Sequence, residues 1–178
     1  MANSSVVVLV LASGKGERFI ASGGTGSKLK ALLAGKPVLE HTLAAVRASG
    51  LAWHLEDAGH DGMGDSIAAA VRATQDAAGW LVLPGDLPLV RPESLRAVAA
   101  ALAGSEVVLP AYQGQRGHPV GFSAACRDAL MTLTGAQGAA PVVRQYKSMQ
   151  LALDDAGVVT DIDTVQDLAA AQDFLQGR

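Results

Sequence analysis

The segment that most constrains the fold is an apolar run near the start of the chain, Val6–Leu11, which leads directly into a glycine-rich, basic stretch. The run is rich in β-branched side chains, and apolar and polar positions do not alternate in it. Such a run is typical of a strand buried on both faces, as at the centre of a parallel sheet. The small residues and lysines that follow would let backbone N–H groups approach an anion closely. Together the two segments predict a strand that ends in a phosphate-binding loop.

An ordinary flexible loop between a strand and a helix is the alternative interpretation of this stretch. The dinucleotide-binding fingerprint requires a third glycine, but Gly14-Lys15-Gly16 is followed by Glu17-Arg18-Phe19. The spacing of the nucleotide-binding P-loop is absent as well. The residues of the loop alone therefore leave both interpretations open.

Length and charge limit the classes of protein to which this chain can belong. A chain of 178 residues has the size of one domain, so we expect a single domain over residues 1–178. Its net charge of −3 argues against non-specific binding of nucleic acid. The first apolar run is too short to span a bilayer, and no basic residue precedes it, so neither a membrane segment nor a secretory signal is expected. The single cysteine, Cys126, is expected in the core, and its being alone suits a reducing compartment, which predicts a cytoplasmic protein.

Strand-like and helix-like segments alternate along the chain, which predicts an α/β fold with a mostly parallel sheet. The expected strands are Val6–Leu11, Leu51–Glu56 (with Trp53 and Leu55 in the core), Trp80–Leu83, Glu106–Leu109 (ended by Pro110), Val120–Phe122 and Leu151–Leu153. The expected helices begin at Pro37, at an N-cap formed by Asp65 or Ser66, at Pro92, at Ala124, within residues 141–149, and at Val165. Ligands of such sheets bind beyond the carboxyl ends of the strands.

Two acidic segments lie at such strand ends. Asp86 follows a buried strand directly, and Asp161 and Asp163 precede the last helix. Alternation in an extended segment would place Asp161 and Asp163 on one face. Carboxylates of this kind, together with phosphate oxygens, are the usual ligands of Mg²⁺. Ordinary turn chemistry at Asp86, and N-capping by Asp163 or Thr164, are the alternatives.

Two further loops carry groups that could bind an anion. The segment Gly62–Ser66 leads into a helix and could direct backbone N–H groups at a ligand, although a plain glycine turn is the alternative. Arg116 and His118 lie together beside a tight turn, where guanidinium and imidazole groups could bind phosphate. A solvated hairpin tip is the alternative there. His41 and His54 are expected to be structural.

Seven motifs in order resemble a known family. They are L-A-S-G-x-G-x-R, K-x-K-x-L-L-x-G-K-P-V-L-E-H, GMGDSI, LPGDLPLV, GQRGHPVGFS, LTGAQGA and DIDTVQDL. This series resembles the MobA-like nucleotidyltransferases, and within them the molybdenum cofactor cytidylyltransferases. The resemblance implies a Rossmann-like three-layer α/β sandwich of the nucleotide-diphospho-sugar transferase type. Compared with that family, the chain between the first long helix and GMGDSI is shorter by about one βα unit, which puts one nucleotide contact in doubt.

The resemblance also implies roles for individual residues. Catalytic roles would fall to Arg18, Lys28, Lys30 and Asp86, with the two lysines as rival equivalents of one phosphate-binding lysine. Nucleotide binding would fall to Leu11, Ala12, Ser13, Gly14, Lys15, Gly16, Gly64, Ser66 and Asp86. The acceptor would lie towards Arg116, Gly117 and His118, and Mg²⁺ would be held by Asp86, Asp161 and Asp163.

The activity implied by the resemblance is transfer of a nucleoside monophosphate from an NTP to the terminal phosphate of molybdopterin, with release of pyrophosphate. CMP is favoured, because the Ser13 side chain would crowd a purine. Transfer from GTP, transfer to a sugar or polyol phosphate, and nucleotide binding without catalysis are the alternatives. The family's usual R-M-G is Arg18-Phe19-Ile20 here, Leu87 often is glutamine in cytidylyltransferases, and Ala136 usually is an acid. Transient contact with a molybdoenzyme or its maturation factor would also be expected.

Overall fold

A mixed seven-stranded sheet forms the centre of the computed structural model, which describes residues 5–177. The strands of the chain are β1 (Val6–Leu11), β2 (Leu32–Leu33), β3 (Lys36–Pro37), β4 (Ala52–Glu56), β5 (Gly79–Pro84), β6 (Val107–Tyr112), β7 (Gln115–Arg116), β8 (Val120–Ser123) and β9 (Ser148–Ala152). The helices are α1 (Glu17–Ala21), α2 (Val38–Ser49), α3 (Met63–Ala73), α4 (Pro92–Ala101), α5 (Arg127–Met131), α6 (Ala140–Gln145) and α7 (Val165–Gln176). The order in the sheet is β4-β1-β5-β8-β6-β7, with β9 beside β6.

The strands around β1 set the character of the fold. Strand β1 pairs in parallel with both β4 and β5, and β6 pairs in parallel with β9. The short strand β8 lies antiparallel between β5 and β6, and β7 returns antiparallel onto β6. Helices cover both faces of this sheet, so the predicted α/β fold with a central, mostly parallel sheet is confirmed.

Strand β1 lacks alternation because both of its faces are buried. Leu9 and Leu11 pack into the apolar cluster that α3, α5 and α6 cover. Val8 and Val10 pack on the opposite face, against α2 and α4. A strand with helices on both sides contributes apolar side chains to two cores, which is the pattern the sequence shows.

Local signals at the helix ends agree with the structure in several places. Helix α2 follows Pro37 and ends at Gly50, whose φ of 74° is left-handed. Helix α4 begins at Pro92, a position where the missing N–H of proline costs nothing. At α7, Thr164 caps the helix and forms a capping box with Asp167, so of the two alternatives for the N-cap, Asp163 and Thr164, the structure has Thr164.

Several predictions of element boundaries are wrong. The helix predicted within residues 141–149 ends at Gln145, and Ser148 and Met149 belong to β9. Helix α3 begins at Met63, before the predicted caps, and the Asp65 carboxylate instead accepts a hydrogen bond from the Gly135 N–H at 3.1 Å. Pro110 does not end β6; it pairs with Leu151 of β9, and its carbonyl accepts the Gly117 N–H at 2.8 Å. A proline withholds only its own N–H from a sheet, so strand pairing can continue through it.

The predicted burial of Trp53 is also wrong. Strand β4 is the edge of the sheet, and 39% of Trp53 is exposed there. The Arg47 guanidinium lies 5.7 Å from the centroid of the indole ring and covers part of it. Edge strands have one neighbour fewer, so a large apolar side chain on one of them can remain half in solvent.

The region around Cys126 is less helical than predicted. Residues Ala124–Cys126 form a 3-10 turn, and only Arg127–Met131 continue as the α-helix α5. Cys126 itself is fully buried, as predicted, and burial raises the pKa of its thiol to about 11. The short β2–β3 hairpin was not predicted. Among residues 5–177, no helix combines the length and apolar character that crossing a bilayer requires.

Candidate active site

Asp86 lies at the carboxyl end of β5, where the backbone is held from both sides. The N–H of Gly85 donates to the carbonyl of Leu11 at 2.8 Å, and the Thr42 hydroxyl donates to the carbonyl of Gly85 at 2.7 Å. Glycine suits this position, because a Cβ would be crowded at 2.9 Å from the Leu39 side chain and 3.0 Å from the Leu11 carbonyl oxygen. Gly85, the first residue after β5, is therefore fixed next to the end of β1, and Asp86 follows it directly.

A backbone hydrogen bond brings the second acidic segment to the same place. The Ile162 N–H donates to the carbonyl of Asp86 at 2.9 Å, and the Ile162 side chain is fully buried. With Ile162 turned inward, the side chains of Asp161 and Asp163 lie on the other face. One carboxylate oxygen from each of Asp86, Asp161 and Asp163 lies within 4.8 Å of the others.

Lys28 bridges two of these carboxylates. Its Nζ donates to Asp86 Oδ2 at 2.7 Å and to Asp163 Oδ1 at 3.0 Å, and the exposed Arg18 guanidinium reaches Asp163 at 3.3 Å. Burial lowers the pKa of Lys28, but the two carboxylates outweigh it and raise that pKa above its usual value. Lys28 is therefore charged at neutral pH. We call Lys28, Asp86, Asp161 and Asp163 the lysine–aspartate cluster.

The pKa values of Asp161 and Asp163 are shifted in opposite directions. Burial raises the pKa of Asp163, but hydrogen bonding to Asp161 and Lys28 outweighs it, so the net shift is downward. Burial and the neighbouring Asp163 raise the pKa of Asp161 to about 6. Negative charge thus exceeds what Lys28 and Arg18 neutralise when all three carboxyl groups are ionised.

The donor set fits a hard divalent cation. All three acidic side chains offer oxygen ligands, which Mg²⁺ and Mn²⁺ prefer. One of those oxygens, Asp86 Oδ1, is buried and has no hydrogen-bond partner among the described residues. A buried carboxylate oxygen without a partner is costly, and a bound cation would remove that cost.

Lys28, Asp86 and Asp163 of the lysine–aspartate cluster line a cavity of about 560 Å³, whereas Asp161 does not. The turn after β1, residues 13–16, lines the same cavity and is called the glycine turn below. Gly16 adopts a left-handed φ of 63°, and a Cβ at this position would already touch Lys28. The predicted nucleotide-binding and catalytic residues that line the cavity are Leu11, Ser13, Gly14, Lys15, Gly16, Arg18, Lys28, Ser66, Asp86 and Asp163.

Three residues of the predicted nucleotide site do not line this cavity. Lys30 is exposed, and its side chain makes no hydrogen bond or ion pair with any residue between 5 and 177, so of the two rival lysines the structure brings only Lys28 to the cluster. The N–H of Gly64 donates to the carbonyl of Gly135, and a Cβ there would meet the Thr134 carbonyl oxygen at 2.8 Å, so this glycine allows close packing. Ala12 donates its N–H to the carbonyl of Glu56.

A second cavity, of about 370 Å³, contains the predicted acceptor residues Arg116 and His118. Met63 lines both cavities and so marks the boundary between them. Arg144, which sequence reasoning missed, adds a second guanidinium. Gly117 does not line the cavity; it packs so closely on the Val158 carbonyl that a Cβ would clash.

The His118 imidazole is the most enclosed polar group of the second cavity. Burial lowers its pKa, and the attraction of Asp86 opposes that shift without cancelling it. The ring makes no hydrogen bond to any residue between 5 and 177, whereas its backbone N–H is bound to the carbonyl of Val158 at 2.8 Å. The imidazole is therefore held in place by the backbone and available to a ligand.

The third group of ionisable residues was not predicted as a site. Glu56, at the end of β4, accepts hydrogen bonds from His54 Nε2 at 3.0 Å and from His60 Nε2 at 2.9 Å. His60 lines the first cavity, whereas His54 lines neither. We call these three residues the histidine–glutamate cluster. The structural role expected of His54 agrees with this hydrogen bond, and His41 likewise binds the carbonyl of Leu33.

Comparisons with known proteins point to one family. The model of the MobA-like NTP transferase domain matches residues 44–150. The bifunctional protein GlmU of Xanthomonas axonopodis pv. citri (strain 306) is 33% identical over 146 residues, which cover 68% of this chain and 30% of that protein. The chain therefore spans less than a third of the length of this curated relative.

Solved structures share the fold over nearly the whole chain. Rv0371c from Mycobacterium tuberculosis H37Rv superposes with a TM-score of 0.82 at 23% identity, covering 97% of this chain and 100% of that one. A second structure of Rv0371c is a complex with manganese. Molybdopterin-guanine dinucleotide biosynthesis protein A from Archaeoglobus fulgidus gives a TM-score of 0.71 at 19% identity, covering 97% and 100%. At these identities the likeness shows the fold.

Proposed function

Since the chain belongs to the MobA-like NTP transferase family, we propose that it transfers CMP from CTP to the terminal phosphate of molybdopterin. The observation that carries the proposal is the meeting of the glycine turn with Lys28, Asp86 and Asp163 in one cavity. Backbone N–H groups, cations and carboxylates in this arrangement suit a nucleoside triphosphate bound together with a divalent metal. The motifs named above support molybdopterin and CMP, and both are part of the proposal.

Asp86, Asp161 and Asp163 would hold the divalent cation, for which Mg²⁺ is proposed. Such an ion neutralises charge on the phosphate oxygens and so favours displacement of pyrophosphate. Manganese in the complex of the related Rv0371c supports a divalent ion in this fold. The three carboxylates stay ionised for this role most completely above the pKa of Asp161, which is about 6.

The cations of the first cavity would bind the triphosphate. Lys28 is already charged and desolvated, so it could exchange one carboxylate for a phosphate oxygen with little further loss of hydration. Arg18 and Lys15 are exposed at the mouth of the cavity and could neutralise the outer phosphates. These side chains would stabilise the negative charge that develops on the pyrophosphate leaving group.

The second cavity would hold the acceptor. Arg116 and Arg144 suit an anionic group, and His118 could donate a hydrogen bond to it. An oxygen of the acceptor phosphate would attack the α-phosphorus of CTP, forming a new P–O bond as the bond to pyrophosphate breaks. A phosphate monoester is largely ionised at neutral pH, so positioning of the two substrates would supply most of the acceleration.

Ser13 lines the cavity, where its side chain would crowd a purine base. Its hydroxyl donates to the carbonyl of Ala58 at 2.6 Å and to that of Glu56 at 3.3 Å, so it also holds the neighbouring loop in place. The preference for CMP in this proposal depends on this side chain and on the resemblance. Cytoplasmic location is part of the proposal because the single cysteine suits a reducing compartment. Transient contact with a molybdoenzyme or its maturation factor belongs to the proposal through the resemblance alone.

The experiment that tests the proposal measures pyrophosphate release with CTP or GTP and a series of phosphorylated acceptors. Turnover is expected with CTP, Mg²⁺ and molybdopterin together. Turnover only with GTP would change the donor, and turnover only with a sugar or polyol phosphate would change the acceptor. Binding of CTP without turnover on any acceptor would make this a nucleotide-binding protein without catalytic activity.

A further inference from the structure

The histidine–glutamate cluster and the lysine–aspartate cluster lie on opposite sides of the end of β1, and His60 of the first cluster lines the same cavity as Lys28, Asp86 and Asp163. Glu56 pairs with Leu11 at the end of β1, on the β4 side, whereas Asp86 follows β5 on the other side. Adjacent strands are about 4.8 Å apart, so the two clusters are separated by roughly 10 Å, with the glycine turn between them. A nucleotide whose phosphates lie near Lys28 and the glycine turn would therefore direct its base towards His60.

The hydrogen bonds of the cluster fix the tautomer of His60. Burial raises the pKa of Glu56, but the hydrogen bonds from His60 and His54 outweigh it, so the carboxyl group titrates below its usual range and is ionised at neutral pH. An ionised carboxylate only accepts hydrogen bonds, so Nε2 of each imidazole carries the proton. In a neutral imidazole protonated at Nε2, the other nitrogen, Nδ1, is an acceptor.

The free nitrogen of His60 belongs to a side chain that lines the cavity. Within residues 5–177, Nδ1 of His60 has no hydrogen-bond partner. The ring is largely enclosed, with 21% of the side chain exposed, and the Glu56 carboxylate at 2.9 Å restrains its orientation. His60 thus supplies a positioned acceptor nitrogen on a side chain that lines the cavity.

We propose that His60 determines base specificity by accepting a hydrogen bond at Nδ1 from the 4-amino group of cytosine. Uracil has a carbonyl oxygen at that position, which would face a second acceptor and leave both without a partner. Glu56 is the positioning residue, because it selects the tautomer of His60 without touching the nucleotide. This inference rests on the proposed function and identifies a residue that reads the base of its substrate.

Titration calorimetry with Mg²⁺ tests the role of His60 in the wild type and in His60→Phe. The ligands are CTP and its pyrimidin-2-one analogue, which has hydrogen in place of the 4-amino group and keeps the ring acceptors. The wild type is expected to bind CTP roughly tenfold more tightly than the analogue, the value of about one hydrogen bond. In His60→Phe that ratio should fall to near one, because CTP loses affinity and the analogue does not.

His54→Phe is the matched control. It removes an equivalent hydrogen bond to Glu56, but His54 does not line the cavity, so the ratio should stay near the wild-type value. A ratio that persists in His60→Phe, or that falls equally in both variants, would overturn the inference. The analogue also tests the inference in the wild type alone, because equal affinity for CTP and the analogue would overturn it without any substitution.

Glu56→Gln tests the tautomer separately. A glutamine amide can donate to an imidazole nitrogen, so His60 could carry its proton on Nδ1 and become a donor to the base. The preference for CTP over UTP should therefore shrink or invert in this variant, and an unchanged preference would contradict the role given to Glu56. If the wild type binds no nucleoside triphosphate, the proposed function fails as well; if it binds CTP and UTP alike, only the inference about His60 fails.

Discussion

Two clusters of ionisable side chains lie on either side of the glycine turn, and they differ in how completely their hydrogen bonds are satisfied. In the histidine–glutamate cluster, one carboxylate receives two imidazole donors and both of its oxygens have partners. In the lysine–aspartate cluster, Lys28 pairs with Asp86 and Asp163 and Arg18 reaches only Asp163, while Asp86 Oδ1 has no partner among residues 5–177. The histidine–glutamate cluster can therefore orient the imidazole of His60, whereas the lysine–aspartate cluster has more negative charge than its cations neutralise.

This difference separates specificity from catalysis within one cavity. A cluster with excess negative charge favours a cation and the phosphates that accompany it. A cluster that is electrostatically satisfied has no such demand, and it can present one nitrogen to an uncharged base. The comparison predicts that substitutions in the lysine–aspartate cluster will affect the rate and the need for metal, and that substitutions of His60 or Glu56 in the histidine–glutamate cluster will affect the choice of base.

The largest effect is expected for Asp86→Ala. Pyrophosphate release should fall by about 10² to 10³-fold or more at saturating Mg²⁺, because the fixed carboxylate at the end of β5 is lost. The fold should remain intact, as judged by circular dichroism. Asp57→Ala is a suitable control, since Asp57 is exposed and lines neither cavity. Comparable activity of Asp86→Ala and the control would refute the proposed metal role.

A smaller effect is expected from the two lysines, which differ in surroundings rather than in chemistry. Lys28→Ala leaves Asp86 without its cation and Asp163 with only the exposed Arg18, so the free energy of unfolding should fall by about 2 kcal/mol, less than for a fully buried pair. Lys30→Ala should change it by less than about 0.5 kcal/mol, as for other exposed positions. Urea unfolding measures both values, and activity should follow the same order.

Adding a divalent metal to the unfolding measurements gives a second test of Lys28. In Lys28→Ala a Mn²⁺ ion would bind carboxylates that no lysine occupies, so part of the lost stability should return when the metal is added. The wild type and Lys30→Ala should gain less stability when the metal is added. Equal and mild effects of the two lysine substitutions would mean that neither is the phosphate-binding lysine, and an equal gain from metal would mean that Lys28 does not compete for the site.

The parts of the site that follow from β1 and β5 could be predicted, because each depends on a local rule. A buried strand ending in glycine or in Pro-Gly-Asp places its next residues at the carboxyl edge of the sheet, so the glycine turn and Asp86 were expected there. The alternation Asp161-Ile162-Asp163 with a buried isoleucine predicted two carboxylates on one face. Only the fold, however, distinguishes Lys28 from Lys30, since both belong to one short turn.

The histidine–glutamate cluster was missed for a related reason. His54, Glu56 and His60 are spaced two and four residues apart across the end of a strand, and no regular element places all three on one face. The loop between β4 and α3 must turn back before His60 can reach the carboxylate. A lone histidine in a polar loop gives no signal of this kind, so the cluster becomes visible only once the β4–β1 pairing is known.

The smallest effect concerns the stability that Glu56 contributes. Its folded-state pKa lies below the unfolded value of 4.5, so the unfolded chain binds more protons at acidic pH. The contribution is therefore fully present above pH 4.5 and is lost as the pH falls through the lower, folded-state pKa. At neutral pH, Glu56→Gln should cost about 1 kcal/mol, the scale of a hydrogen bond to a charged group.

Urea unfolding of wild type and Glu56→Gln between neutral and acidic pH measures this contribution as the difference between the two proteins. The difference should narrow below pH 4.5, because the wild-type carboxylate then takes up a proton and loses its advantage over the amide. Asp163 also titrates low in the folded state, but it is common to both proteins and cancels. A difference that stays constant down to the acid limit would mean that the imidazoles of His54 and His60 do not stabilise the ionised carboxylate. The histidine–glutamate cluster would then no longer differ from the lysine–aspartate cluster in having its carboxylate stabilised by hydrogen bonds.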